Sequence, residues 1–287
     1  MAKNGVLCSQ PKLELTVEEA KAYINRRGFY AEELRGKKVL CLASGGGQQS
    51  IAFALLGAEV TVVDFSELQL EKDRLVSEQY GKEMRVVKSD MRDLSFCADE
   101  EFDVVYQPYS INYIPEVGQV FDEVARVLKQ GGLYDIMFHN PYVHGSWKNG
   151  CWEEEWATEE LWEGKGYPIW QPYKDGYPIR TVDPHWRFTS SDNERVKLES
   201  PQEYRHTMST IVNGLIARGL AVERYEEETA DGAGHPPGNW EHYKSCLPPW
   251  IYLLSRKRGG LVCPCRQPRQ KNDTRSGSLR PRSRFDA

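Results

Sequence analysis

An α/β fold, with a mostly parallel seven-stranded Rossmann-like sheet and helices on both faces, is what this sequence predicts. Three observations carry the prediction. An apolar run at residues 39–43 stops at the glycine cluster Gly45-Gly46-Gly47, and a helix-compatible run, 48–56, follows it. A second apolar run, 60–63, ends in Asp64, seventeen residues past Gly47. Beyond it, strand-like and helix-like runs keep alternating as far as Phe138, the pattern of βαβ units wound around a parallel sheet.

The elements read in order as follows. Residues 16–26 form a short amphipathic lead helix with Thr16 as N-cap and Glu18 and Glu19 in its first turn, where acids complement the helix dipole. Strand 38–44, helix 48–56 and strand 59–64 come next. A long charged helix, 66–80, is opened by Ser66 and stopped by Gly81, since glycine adopts the left-handed cap conformation without strain. Strands 85–88 and 102–106 follow. Helix 118–129 carries Phe121, Val124 and Leu128 on one face and is expected to end at Gly131-Gly132, before a fifth strand at 133–138. Residues 201–218 read as a helix with Tyr204, Met208, Ile211 and Leu215 on its apolar side. Two last strands, 220–225 and 250–255, pair as a hairpin-like edge, with a long Gly-, Pro- and His-rich loop, 226–249, between them.

Composition narrows the class. No apolar run approaches the ~18–20 residues needed to cross a bilayer, and residues 1–14 contain no apolar stretch of a secretory signal. Seven scattered cysteines, of which only Cys263 and Cys265 lie close together, match free thiols of a reducing compartment rather than a zinc site. The expected location is cytoplasmic, and no metal is expected. Residues 256–287 hold ten Lys/Arg and two Asp, so the body before them is strongly acidic. That body is a poor partner for a phosphate backbone, which argues against nucleic acid. The chain divides into an N-terminal lead (1–37), a main domain (38–255) with an insertion at 140–199, and a basic tail (256–287) too poor in apolar residues to fold.

The texture changes after Phe138. All eight tryptophans and all six histidines lie beyond it. The insertion alone contains six tryptophans and four tyrosines, dense enough to line a pocket with stacking and cation–π walls or to build a small accessory core. Glutamates 153–155, 159, 160 and 163 flank Trp152, Trp156 and Trp162. They read as a solvated helix face or as an attraction for an amine.

The glycine turn and Asp64 point to a nucleoside-type cofactor. Glycine lets a ligand approach the backbone, and an acid at the tip of the next strand accepts hydrogen bonds from a ribose diol. A nicotinamide site prefers Gly or Ala where this chain has Ser50, and the Gly-Lys-Ser/Thr of a P-loop is absent. Asp64 and Asp90, at the ends of the second and third strands, suit the ribose and adenine of S-adenosylmethionine.

The segments VLCLASGGGQQ (39–49), VTVVDFSELQLEKDR (60–74), VVKSDMRDL (86–94), FDVVYQPYSINYIPE (102–116) and VFDEVARVLKQGGLYDI (120–136) together resemble the class I S-adenosylmethionine-dependent methyltransferases. The group they are most similar to is the small-molecule one, typified by ubiquinone and menaquinone methyltransferases. The resemblance implies Ser44, Gly45 and Gly47 at the methionine part, Asp64 and Phe65 at the ribose side, Asp90 and Met91 at the adenine, and Gln107 beneath the sulfonium. Where such chains often have a glycine, this one has Ser44. The function implied is methyl transfer to an O or N atom of a metabolite. Two alternatives stand beside it: a nicotinamide-dependent oxidoreductase, and a non-catalytic cofactor-binding protein on the same scaffold.

Methyl transfer from a sulfonium needs a nucleophile held in line with water excluded, and a base only when the nucleophile must lose a proton. His139, just after the fifth strand, is the first candidate base. His206 is the second, and His144, Tyr142 and Tyr109 stand near the expected mouth of the crevice.

Overall fold

The computed structural model describes residues 10–30, 34–144, 171–179, 185–189, 195–199, 201–237 and 239–259. Trp147, Trp152, Trp156, Trp162, Trp170, the glutamate cluster at 153–163 and the tail beyond 259 lie outside them. A seven-stranded sheet runs in the order β10-β11-β5-β4-β1-β2-β3. Its strands are β1 (Lys38–Leu42), β2 (Glu59–Asp64), β3 (Met84–Lys88), β4 (Phe102–Gln107), β5 (Leu128–His139), β10 (Leu220–Glu227) and β11 (Trp250–Lys257). The five from β3 to β5 are parallel neighbours, and β11 runs against both β5 and β10. The switch between β1 and β4 opens the crevice where open α/β sheets take ligands. Two small ladders, β6 (Tyr177–Pro178) with β9 (Tyr204–Arg205) and β7 (His185–Thr189) with β8 (Arg195–Glu199), lie outside the main sheet.

Burial on both faces explains why the central strands read as continuous apolar runs. Along β1, Val39 and Cys41 enter one core with Phe53 of α2 (Gln49–Leu55) and Leu70 and Val76 of α3 (Glu67–Tyr80). Leu40 and Leu42 enter the other, with Phe121 of α4 (Gly118–Val127) and Ile211 of α5 (Met208–Ile216). The lead helix α1 (Val17–Ile24) is capped as its sequence foretells: the Thr16 hydroxyl accepts from the Glu19 N–H at 3.2 Å while the Glu19 carboxylate accepts from the Thr16 N–H at 2.9 Å.

Three expectations are corrected. Gly131-Gly132 does not stop α4; the helix ends at Val127, Leu128 already has extended dihedrals and pairs with Phe102, and the glycines ride inside β5 beside a register shift. The helix expected over 201–218 begins only at Met208, because Thr207 caps it and Tyr204–Arg205 are drawn into a ladder with Tyr177–Pro178. The loop at 226–249 contains α6 (Trp240–Cys246), capped by Asn239, with Trp240 stacked on Tyr243. In addition, β11 continues two residues past the expected domain end at Ser255.

One buried acid has a measurable consequence. Asp135, in β5, accepts from the Tyr30 hydroxyl at 2.7 Å and is buried, which pushes its carboxyl up to about 7. The folded chain therefore binds more protons here than the unfolded one between about pH 4 and pH 7, so stability falls as pH rises through that window. Asp135→Asn keeps an acceptor for Tyr30. It is expected to stabilise the protein by roughly 1–3 kcal/mol at pH 8 and to leave it unchanged near pH 4, as read by urea denaturation at the two pH values.

Candidate functional site

A cleft at the carboxyl ends of β1, β2 and β4 gathers many of the chemistry-bearing residues. It encloses about 990 Å³ and is lined by Ser44, Gly45, Asp64, Phe65, Asp90, Met91 and Tyr109, among others. That volume is at the upper end of the ~300–1,000 Å³ of small-molecule clefts, and so has room for a nucleoside cofactor and a second small molecule.

Two carboxylates fix the glycine turn. Asp64, at the tip of β2, accepts from the Gly45 N–H at 2.9 Å and, through its other oxygen, from the Ser66 N–H at 2.8 Å. A Cβ on Gly45 would stand 3.0 Å from the Asp64 side chain, so only glycine lets strand tip and turn close up. Burial pushes the Asp64 carboxyl up, against the pull of these backbone donors. Asp73, fully buried in α3, accepts from the Gly46 and Gly47 N–H groups at 2.8 and 3.1 Å and from the Ser50 hydroxyl at 2.5 Å. Gly47 has φ +67, and a Cβ there would lie 2.8 Å from the Lys72 carbonyl. All three turn N–H groups thus point at protein carboxylates. The turn gives a ligand close approach rather than N–H donors.

Across the cleft, Asp90 is gripped by Arg92, whose Nε and Nη2 donate to its two oxygens at 2.9 and 2.6 Å. The guanidinium holds the Asp90 carboxyl below its usual range. Phe65 is 75% exposed, a free aromatic ring on the cleft wall beside Asp64.

Of the residues singled out by sequence, Ser44, Gly45, Asp64, Phe65, Asp90, Met91 and Tyr109 come together on this wall. Four stand apart from it. Gly47 is buried behind the turn. Gln107 is fully buried, accepts from the Tyr134 hydroxyl at 2.5 Å and donates to Ser110 and to the Met91 sulfur, so both ends of its amide serve the core. His206 is buried with its Nε2 3.2 Å from the Ile111 carbonyl. His139 lies behind Tyr109 with its ring stacked on His144 at 4.2 Å. Burial, then the neighbouring His144, pushes it down to about 3, far below a useful base at neutral pH.

Sequence reading missed Asp73 and Glu203, and placed His144 only near the mouth of the crevice, without a partner. Asp73 did carry a signal, because it is three residues from both Leu70 and Val76 on the buried stripe of α3. Glu203 accepts from the Tyr109 hydroxyl at 2.8 Å and stands 2.7 Å from His144 Nε2. Fifty-nine residues separate that second pair, and no local pattern announces it. Among the described residues, no cluster of three or more His, Cys, Asp or Glu is arranged to hold a metal ion, and no helix is long and apolar enough to cross a membrane.

Comparison with known proteins gives a consistent likeness. Residues 40–136 match the methyltransferase domain family. An uncharacterized methyltransferase of Bacillus subtilis is 47% identical over 110 residues, which are 38% of this chain and 43% of that one. A ubiquinone biosynthesis O-methyltransferase of Pseudomonas syringae is 35% identical over 113 residues, 39% of this chain and 49% of its own length. The matched region thus spans less than half of these relatives. Among solved structures, an S-adenosylmethionine-dependent methyltransferase of Mesorhizobium loti superposes with TM-score 0.53 at 17% identity, covering 84% of this chain and 99% of its own. A chain described as a putative enzyme of the same kind from Listeria monocytogenes gives 0.54 at 17%, with the same coverage. At such identities the likeness is one of fold.

Proposed function

We propose that this protein, whose residues 40–136 match the methyltransferase domain family, transfers a methyl group from S-adenosylmethionine to an oxygen or nitrogen atom of a small-molecule acceptor. The observation that carries the reading is the single cleft in which Asp64, the Gly45 turn, Phe65 and Asp90 converge. When bound, the cofactor supplies a methyl group already activated by the positive charge on sulfur.

The residues present fit that group. The Asp64 carboxylate takes backbone N–H groups on both oxygens and keeps lone-pair capacity for a ribose hydroxyl. The Asp90 carboxylate is held ionised by Arg92 and suits the exocyclic amine of adenine. Phe65 offers a face for stacking against a flat base. Gly45, without a Cβ, lets the amino-acid end lie against backbone. Ser44 adds a hydroxyl there, 3.4 Å from the Gln49 side-chain oxygen.

The wall near Tyr109, Tyr113, Ile114 and Pro201 is left for the acceptor. Its aromatic and apolar side chains exclude water, which favours an in-line displacement in which position does most of the work. Tyr109 is the one of the three catalytic candidates that reaches this wall.

Calorimetry with S-adenosylhomocysteine and with NAD tests the cofactor half. Micromolar or tighter binding of the first and none of the second is expected; binding of NAD alone overturns the proposal. Incubation with methyl-labelled S-adenosylmethionine and a metabolite extract tests the transfer half. A labelled small molecule is expected, and label found only in nucleic acid or protein contradicts it.

A further inference from the structure

The acceptor side of the cleft is backed by a polar chain. Tyr109 has φ +54, a left-handed backbone that costs a non-glycine residue energy. It is held there by its own N–H, which donates to the Met137 carbonyl at 2.9 Å. The ring thereby lies on the cleft wall while its hydroxyl donates to Glu203 Oε1 at 2.8 Å. The second Glu203 oxygen, Oε2, lies 2.7 Å from His144 Nε2. His144 is buried and its Nδ1 has no hydrogen-bond partner among the described residues. A neutral ring with its proton on Nε2 satisfies both facts, because Nδ1 is then only a lone pair. Burial and the nearby Arg205 guanidinium, whose Nη2 donates to the His144 carbonyl, push His144 well below its usual value and keep it neutral. Stacking on His139 fixes the ring plane. Glu203 is therefore a carboxylate with two donors, one of which opens onto the cleft.

We propose that Glu203 receives, through the Tyr109 phenol, the proton that a hydroxyl or amine acceptor loses on methylation, and that His144 is the neutral donor that positions it. The inference rests on the methyltransferase reading and deepens it, because it assigns the acceptor to the protic class. The acceptor heteroatom forms its bond to the methyl carbon, and the carbon–sulfur bond breaks with its electron pair leaving on sulfur. The acceptor proton passes to Tyr109 Oη as the phenol proton passes to Glu203 Oε1. Tyr109 is then the catalytic residue, and Glu203 and His144 act through it. The titratable or charged groups facing Glu203 are Tyr109, His139 and His144, with Arg205 behind His144 and Tyr113 beside Tyr109. Both histidines are pushed down by burial and Glu203 is pushed up, so the histidines stay neutral near pH 7 and the carboxylate is the basic member of the chain.

Glu203→Gln, Glu203→Asp and Tyr109→Phe are compared with the unsubstituted protein in two measurements. The first is a carbon-13 NMR titration of the glutamate carboxyls in protein without added ligand. One resonance is expected to titrate above the ordinary ~4.3, to vanish in Glu203→Gln and to move further up in Tyr109→Phe, which removes a donor to the charged form. The second uses labelled S-adenosylmethionine and a metabolite extract. Glu203→Gln and Tyr109→Phe are expected to lower turnover about 10²-fold or more, with S-adenosylhomocysteine affinity within threefold of the original. Glu203→Asp should recover part of the loss, and the acid limb of the pH–rate profile should disappear in Glu203→Gln. A displaced carboxyl that is missing, or turnover in Glu203→Gln within threefold of the original at every pH, overturns the relay and leaves the parent reading intact. Failure of the unsubstituted protein to bind S-adenosylhomocysteine overturns both.

Discussion

Replacing Asp64 by alanine is expected to weaken S-adenosylhomocysteine binding by ~10²–10⁴-fold, the loss of two hydrogen bonds to a charged group at roughly 1.5–3 kcal/mol each. The carboxylate lines the cleft, and the proposed cofactor placement sets the ribose against it. The same substitution should hardly change stability, and this separates a binding role from a structural one. Burial already works against the ionised form of Asp64, so its removal relieves that strain. Against this stands the loss of acceptors for the Gly45 and Ser66 N–H groups, which water entering the cleft can replace. Asp64→Asn keeps one acceptor oxygen and should fall between the two. Calorimetry for affinity and thermal melting for stability check the pair. Unaltered affinity in Asp64→Ala contradicts the cofactor placement.

Asp73→Ala should behave in the opposite way, with stability and affinity lost together. Three donors converge on this buried carboxylate, from Gly46, Gly47 and Ser50, and water has no route to replace it. Stranding buried donors costs about 1–3 kcal/mol each, partly offset by removing a buried charge. A net loss of ~3 kcal/mol is the expected order, several degrees or more in melting temperature for a domain of this size. Asp73→Asn can accept through one oxygen only and should lose roughly half as much. A melting temperature unchanged in Asp73→Ala contradicts the account of how the turn is held.

How much of this was legible in the sequence follows from the range of the forces involved. The strand–turn–helix–strand opening is written in local pattern, because a buried parallel strand must be apolar on both faces and a turn that closes on a strand tip must be glycine. Asp64 was legible for the same reason, as the end of such a strand, and Asp90 from its place two residues past β3. Gly131-Gly132 reads as a helix stop in the sequence alone, whereas pairing of Leu128 with Phe102 ends the helix first. The start of α5 was misplaced because Tyr204 fits an apolar helical stripe, while its backbone is claimed by Pro178. Gln107 is the last residue of β4, close to its expected place, yet its amide is drawn inward by Tyr134 and Ser110. Tyr134 is 27 residues away, beyond any local signal. Glu203, and its pairing with His144 59 residues away, were out of reach for the same reason.

The carboxylate grip on Gly46 and Gly47 also says something about how the cleft meets its ligand. A loop already locked by its own protein loses little freedom when a guest arrives, so association should be quick and its entropy penalty small. The exchange of those two amide hydrogens with heavy water should accordingly be slow before loading and hardly slower after it.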